Sequence, residues 1–138
     1  MNRQRLEAAI ETGKSGKITY PEFLNAIRDA GVRSYEVDVA TGMIAYRGGN
    51  ADDVYEETKW SAGEQLEVSD EFNTGLVKSA VLRNQRKETD YATFLKEIAR
   101  AGVLSYKVDV SIRTIKYEGR SQSYTEQVPD PDIIARDC

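Results

Sequence analysis

The sequence predicts an α+β fold: an antiparallel sheet packed against helices, built from two copies of one helix–helix–β-hairpin unit with an added strand. Three observations predict it. "AGVRSYEVDV" at residues 30–39 returns as "AGVLSYKVDV" at residues 101–110. In both places helical periodicity gives way to strict alternation of apolar and polar residues. A shift of 71 residues lays 20–49 on 91–120 without a gap, with 15 identities in 30 columns. Average composition gives roughly two such identities by chance. Two copies fall short of the three a solenoid needs. The units are therefore expected to share one core about an approximate two-fold.

Each element has its own signal. Residues 2–12 carry Leu6, Ala9 and Ile10 on one helical face and stop at Gly13. "TYPEFLNAIRDAG" opens a second helix, with Thr19 as N-cap and Pro21 in the first turn, where a missing N–H costs nothing. Phe23, Leu24 and Ile27 form its face, and Gly31 ends it with a positive φ. Tyr35, Val37 and Val39 then alternate with Ser34, Glu36 and Asp38, the pattern of a half-buried strand. A turn around 40–42 leads to a second strand at 43–47. Val54–Lys59 and Gln65–Val68 read as short strands around the turn "SAGE" at 61–64.

The second unit begins with a helix at 70–84, capped by Ser69, with Phe72, Leu76, Ala80 and Arg83 at spacings of three and four. "TDYATFLKEIARAG" repeats the second helix, with Thr89 as cap and Gly102 as stop. Strands about a turn at 111–113 follow, and Ser123–Val128 matches Val54–Lys59. Residues 1–129 are expected to be one domain of two repeats, about 1–68 and 69–129. Residues 130–138 are expected to be an extended tail, because prolines at 129 and 131 exclude regular pairing.

Composition bounds the function. A chain of 138 residues suits one domain and buries roughly two-thirds of its unfolded surface. The charge of -4 argues against phosphate backbones as partners, so no nucleic acid is expected. The densest basic run, "RNQRK" at 83–87, is short and falls at a helix end, where cations complement the dipole. No window approaches the roughly 18 apolar residues of a membrane helix, and the N-terminus is not a secretory signal, so no membrane is expected. The only cysteine is Cys138, an exposed thiol able to cross-link chains on oxidation. A cytoplasmic protein is expected.

"RKETDYATFLKEIARAGVLSYKVDVSIRTIKYEGRSQSYTEQVP" resembles the C-terminal half of an uncharacterised family of small bacterial and prophage proteins. The family is catalogued as a domain of unknown function, and some members are loosely labelled "phage envelope protein". "TYPEFLNAIRDAGVRSYEVDV" resembles the N-terminal half. The likeness runs from about Leu6 to Pro129 and rests on fold-forming residues: the "TDY" cap, the "AGV" stop and the aromatic-x-V-D strand. It implies a fold and no activity. Members often carry Cys in the second helix where this chain has Leu95, so thiol chemistry there is absent.

Chemistry-bearing residues are few. There is no histidine, which removes the commonest general base, the serine-hydrolase triad and most transition-metal sites. "RGGN" at 47–50 lacks the lysine and hydroxyl of a phosphate loop, and "DVATG" at 38–42 lacks the spaced carboxylates of a calcium loop. No metal and no cofactor are expected. Asp38 and Asp109 occupy equivalent points of the two hairpins. A two-fold that joined them would split their acidities for acid–base work or hold a divalent cation. Apart, each would serve its own turn. Tyr35, Tyr46, Tyr106 and Tyr117 either line a ligand groove or pack across strands beneath the helices. Trp60 either covers the core edge or marks a contact patch.

Two readings follow. One is a non-catalytic binding or adaptor protein that meets a protein partner, a small molecule or a second copy, the last as a homodimer through edge strands. The other is a small enzyme using carboxylate and tyrosine acid–base chemistry at the seam between repeats, with Asp38 and Asp109 as acid and base.

Overall fold

A computed structural model describes residues 1–15, 18–50, 52–58, 65–86 and 88–128. Several sequence expectations lie outside these residues: Lys59, Trp60, the turn at 61–64, Lys87, and the tail with Cys138. The elements are α1 (Arg3–Lys14), α2 (Tyr20–Asp29), β1 (Ser34–Asp38), β2 (Met43–Arg47) and β3 (Val54–Thr58). They continue with α3 (Thr74–Gln85), α4 (Tyr91–Arg100), β4 (Ser105–Asp109), β5 (Thr114–Glu118) and β6 (Ser123–Gln127). The order α-α-β-β-β thus runs twice, and the class is α+β as the alternation patterns require.

The strands form one sheet in the order β3-β2-β1-β4-β5-β6, every pair antiparallel. The halves join at β1 and β4. There Ser34 faces Asp109, Glu36 faces Lys107 and Asp38 faces Ser105. Adding 71 to the first partner of one end pair gives a member of the other, so this register maps onto itself. It is the pairing an approximate two-fold through Glu36 and Lys107 would leave. One face of the sheet carries Tyr35, Val37, Ile44, Tyr46, Tyr106, Val108, Ile115 and Tyr117, all buried. Helix α1 packs on α2 and α3 on α4, while among the described residues no comparable packing joins one helix pair to the other.

The second helix of each half is punctuated as its sequence demands. Thr19 and Glu22 form a reciprocal capping box, and Pro21 lies in the first turn. Beyond α2, Gly31 donates to the Arg28 carbonyl and Val32 to the Ile27 carbonyl, both at 2.9 Å. Gly102 to Ala99 and Val103 to Ile98 repeat the motif after α4. This Schellman closure needs a left-handed residue, and Gly31 and Gly102 have φ of 97° and 90°.

Three expectations are corrected. The cap of α4 is Asp90, whose side chain accepts from the Thr93 N–H at 2.7 Å, and not Thr89. Helix α3 begins at Thr74 under Asn73, and not after Ser69. The reason is tertiary. The Ser69 and Asn73 N–H groups bond the Ala99 and Ala101 carbonyls at 2.9 and 2.8 Å, which ties 69–73 to the end of α4. The buried face of α3 is accordingly Val77, Ala80 and Val81, while Leu76 is 50% exposed. Finally, Gln65–Val68 is not a strand. Leu66 makes one backbone bond, to the Ala40 carbonyl at 2.9 Å, and no ladder follows.

Candidate functional site

The alternation that buries one strand face also lines up its tyrosines. The register sets Tyr55 beside Tyr46, Tyr46 beside Tyr35, Tyr106 beside Tyr117 and Tyr117 beside Tyr124. Ring centroids run 6.2, 5.3, 6.4, 5.5 and 6.2 Å along Tyr55–Tyr46–Tyr35–Tyr106–Tyr117–Tyr124. An aromatic row therefore crosses all six strands. Phe23 and Phe94 meet Tyr35 and Tyr106 edge-on from α2 and α4, the favoured quadrupole geometry.

The hydroxyls are paired as regularly as the rings. Tyr20, at the start of α2, bonds Tyr35 through their hydroxyls, and Tyr91 bonds Tyr106 in the same way at 2.7 Å. Tyr46 donates to Glu57 at 3.3 Å and Tyr117 to Glu126 at 2.8 Å. Burial pushes the phenols of Tyr20, Tyr35, Tyr46, Tyr91, Tyr106 and Tyr117 far above the usual range. Burial also raises the Glu126 carboxyl, partly offset by bonds from Tyr117 and Gln85. These phenols stay neutral at physiological pH and act as hydrogen-bonding groups, with no readily shared proton for general acid–base work.

The four tyrosines singled out from sequence are thus together, each at most 4% exposed. They are core, with hydroxyls bonded to neighbours. Asp38 and Asp109 are not together. They lie at opposite ends of the β1–β4 pair, roughly 14 Å apart along the strands at ~3.4 Å per residue. Asp38 accepts from the Thr41 N–H at 3.1 Å, and Asp109 from the Ser111 and Ile112 N–H groups at 3.0 and 3.2 Å. Each serves its own turn, and the paired acid–base or cation site is not formed.

Three polar groups of this core were not legible from composition: Glu57, Glu126 and Arg113. Arg113 is 7% exposed. Its guanidinium donates to Asn25 Oδ1 at 2.6 Å and the Pro21 carbonyl at 3.1 Å, so the β4–β5 turn of one half grips α2 of the other. The available signal was the repeat itself, since Arg113 stands where the first copy has Gly42. Both residues have positive φ, 58° and 73°.

The opposite sheet face carries no element among the described residues. Its central row, read through the register, is Glu56–Ala45–Glu36–Lys107–Lys116–Thr125. A shallow depression of about 180 Å³ lies there, lined by Ser34, Tyr35, Glu36, Arg47 and Lys107. No group of three or more acidic or cysteine side chains is placed to hold a metal, and no helix is long and apolar enough to cross a membrane, among the described residues.

Fold and site together define an α+β protein with an aromatic core under its helices and a polar sheet face that no described element covers. The chain belongs to the family described as "Protein of unknown function (DUF1398)", which matches residues 7–126. No curated protein matches it.

Proposed function

We propose that the chain is a non-catalytic binding or adaptor protein that engages a macromolecular partner through the uncovered face and edges of its sheet. One observation carries this reading: the face opposite the helices is bare among the described residues, while the tyrosine side is closed on itself. Among the described residues, no ion pair or hydrogen bond holds the side chains of Glu36, Glu56 and Lys107 on that face. Strands β3 and β6 end the sheet with one backbone edge each unpaired by any described strand, the feature that β-augmentation exploits. The acid–base alternative loses its support, because its two aspartates are separated and its phenols are too weakly acidic. The reading also takes the protein to be of bacterial or prophage type, as the resemblance implies, and cytoplasmic, which a single cysteine fits.

Native mass spectrometry of gently purified protein tests it. The expected spectrum holds complexes with a protein mass and no small-molecule adduct. A reproducible small-molecule adduct that Tyr117→Phe abolishes would overturn the reading and move the site to the aromatic core.

A further inference from the structure

The central row of the open face is polarised by charge. Glu56 and Glu36 lie in the first half, Lys107 and Lys116 in the second. Glu36 and Lys107 face each other across β1 and β4, yet no ion pair joins them, and within this row, among the described residues, only Lys116 reaches an acid, Glu118, at 3.6 Å. We infer that this face docks a second copy of the same chain, sheet on sheet, as a reversible two-fold dimer. The inference rests on the proposal that the open face is a binding surface.

Charge selects the arrangement. A two-fold axis parallel to the strands, running between β1 and β4, exchanges the left and right halves of the facing sheet. Glu36 of each copy then meets Lys107 of the other, so the contact occurs twice, as an isologous interface requires. In the flanking rows Ser34 meets Asp109, Arg47 meets Thr114 and Asp38 meets Ser105, so no like charges oppose. The other in-plane axis, across the strands, sets Glu36 on Glu36 and Lys107 on Lys107 and is repelled. Strands of the two sheets would run nearly aligned at about 10 Å, a gap that glutamate and lysine side chains span.

Size sets the strength. Six strands at ~4.8 Å and five residues at ~3.4 Å give a footprint of roughly 450 Å² per copy. The total is close to the ~1,000 Å² threshold of specific interfaces. The dimer is therefore weak and dissociates as salt screens its charges.

Sedimentation equilibrium of the whole chain over a concentration series, in low and high salt, tests this. Wild type is expected to dimerise in low salt and lose at least about ten-fold in affinity in high salt, a factor worth about 1.4 kcal/mol. Glu36→Lys and Lys107→Glu, each alone, create two repulsive contacts and should be monomeric, with circular dichroism confirming the fold. Mixed, these two variants should dimerise with each other, because every exchanged contact is again between opposite charges. The double variant Glu36→Lys/Lys107→Glu keeps its charge pair within the chain and should dimerise as wild type does. Wild type that stays monomeric in low salt overturns the inference, as does a dimer that neither single variant weakens. Should a protein of different sequence bind instead, and Glu36→Lys abolish that binding, the second-copy inference fails while the open-face reading stands. If open-face variants alter no association at all, both fail.

Discussion

Arg113 occupies a backbone conformation that costs an L-residue about 1–2 kcal/mol, and it is kept there by what its side chain reaches. With φ of 58° it repeats the left-handed turn that Gly42 makes freely in the first half. Glycine at this place would relieve the backbone but release Asn25 and the Pro21 carbonyl from a buried guanidinium. Alanine would keep the backbone cost and lose the bonds. The expected order of stability in urea is therefore wild type, then Arg113→Gly, then Arg113→Ala, with the alanine variant about 3 kcal/mol below wild type. An alanine variant as stable as the glycine one would mean that the turn carries no conformational cost. Single residues of this kind are the least readable from sequence. Tyr35 and Tyr106 share the valine face by period two, so their burial was legible. The carboxyls of Glu57 and Glu126 and the guanidinium of Arg113 were not, because their partners come from other elements.

Most elements were legible where a local cap or period dictated them, although at α4 two adjacent cap-forming residues compete and Asp90 caps in place of Thr89. The start of α3 was misplaced because a distant backbone sets it. The capping box of α2 and both Schellman closures are written in Thr19, Glu22, Gly31 and Gly102. The start of α3 is set instead by bonds from Ser69 and Asn73 to the end of α4. Carrying the 71-residue shift further would have found it. Asn2 and Asn73 are both N-caps, and Leu6, Ala9 and Ile10 fall on Val77, Ala80 and Val81. The same tie between elements makes the two stop glycines unequal. A Cβ on Gly102 would lie 2.3 Å from the Glu71 carbonyl oxygen and 2.8 Å from the Phe72 Cα. At Gly31 the nearest atom would be the Met1 Cα at 3.0 Å. Both sites pay for a positive φ, but Met1 need yield only slightly at Gly31, whereas Gly102 forces the 71–72 backbone well aside. Gly102→Ala should therefore cost at least about 2 kcal/mol more than Gly31→Ala in chemical denaturation. Equal losses would mean that the 69–73 segment yields without penalty.

At the scale of the whole molecule, one aromatic row spans the sheet and joins both halves, so the protein's response to alkali is a property of the fold. Burial raises six phenols, those of Tyr20, Tyr35, Tyr46, Tyr91, Tyr106 and Tyr117. In the unfolded chain each ionises near pH ~10. A group whose folded pKa lies above its unfolded one contributes stability that is intact below the unfolded value and lost as pH climbs toward the folded one. Here the window opens at about pH 10. One fully uncoupled proton changes stability by about 1.4 kcal/mol per pH unit, so six approach about 8 kcal/mol per unit. A domain of ordinary stability, about 5–15 kcal/mol, has that reserve removed within about two units. The chain should unfold abruptly in alkali, and it should unfold because its tyrosines ionise. Phenolate absorbance and far-ultraviolet circular dichroism, followed together on one sample through rising pH, check this. The bulk of the phenolate signal is expected to appear in a single steep step that coincides with loss of the sheet and helix signal. A gradual rise of most of the phenolate signal while the secondary structure persists would mean that hydroxide reaches these hydroxyls in the folded protein. The aromatic row would then be an accessible groove and no longer a sealed core, which would return the tyrosine side of the sheet to consideration as a binding surface.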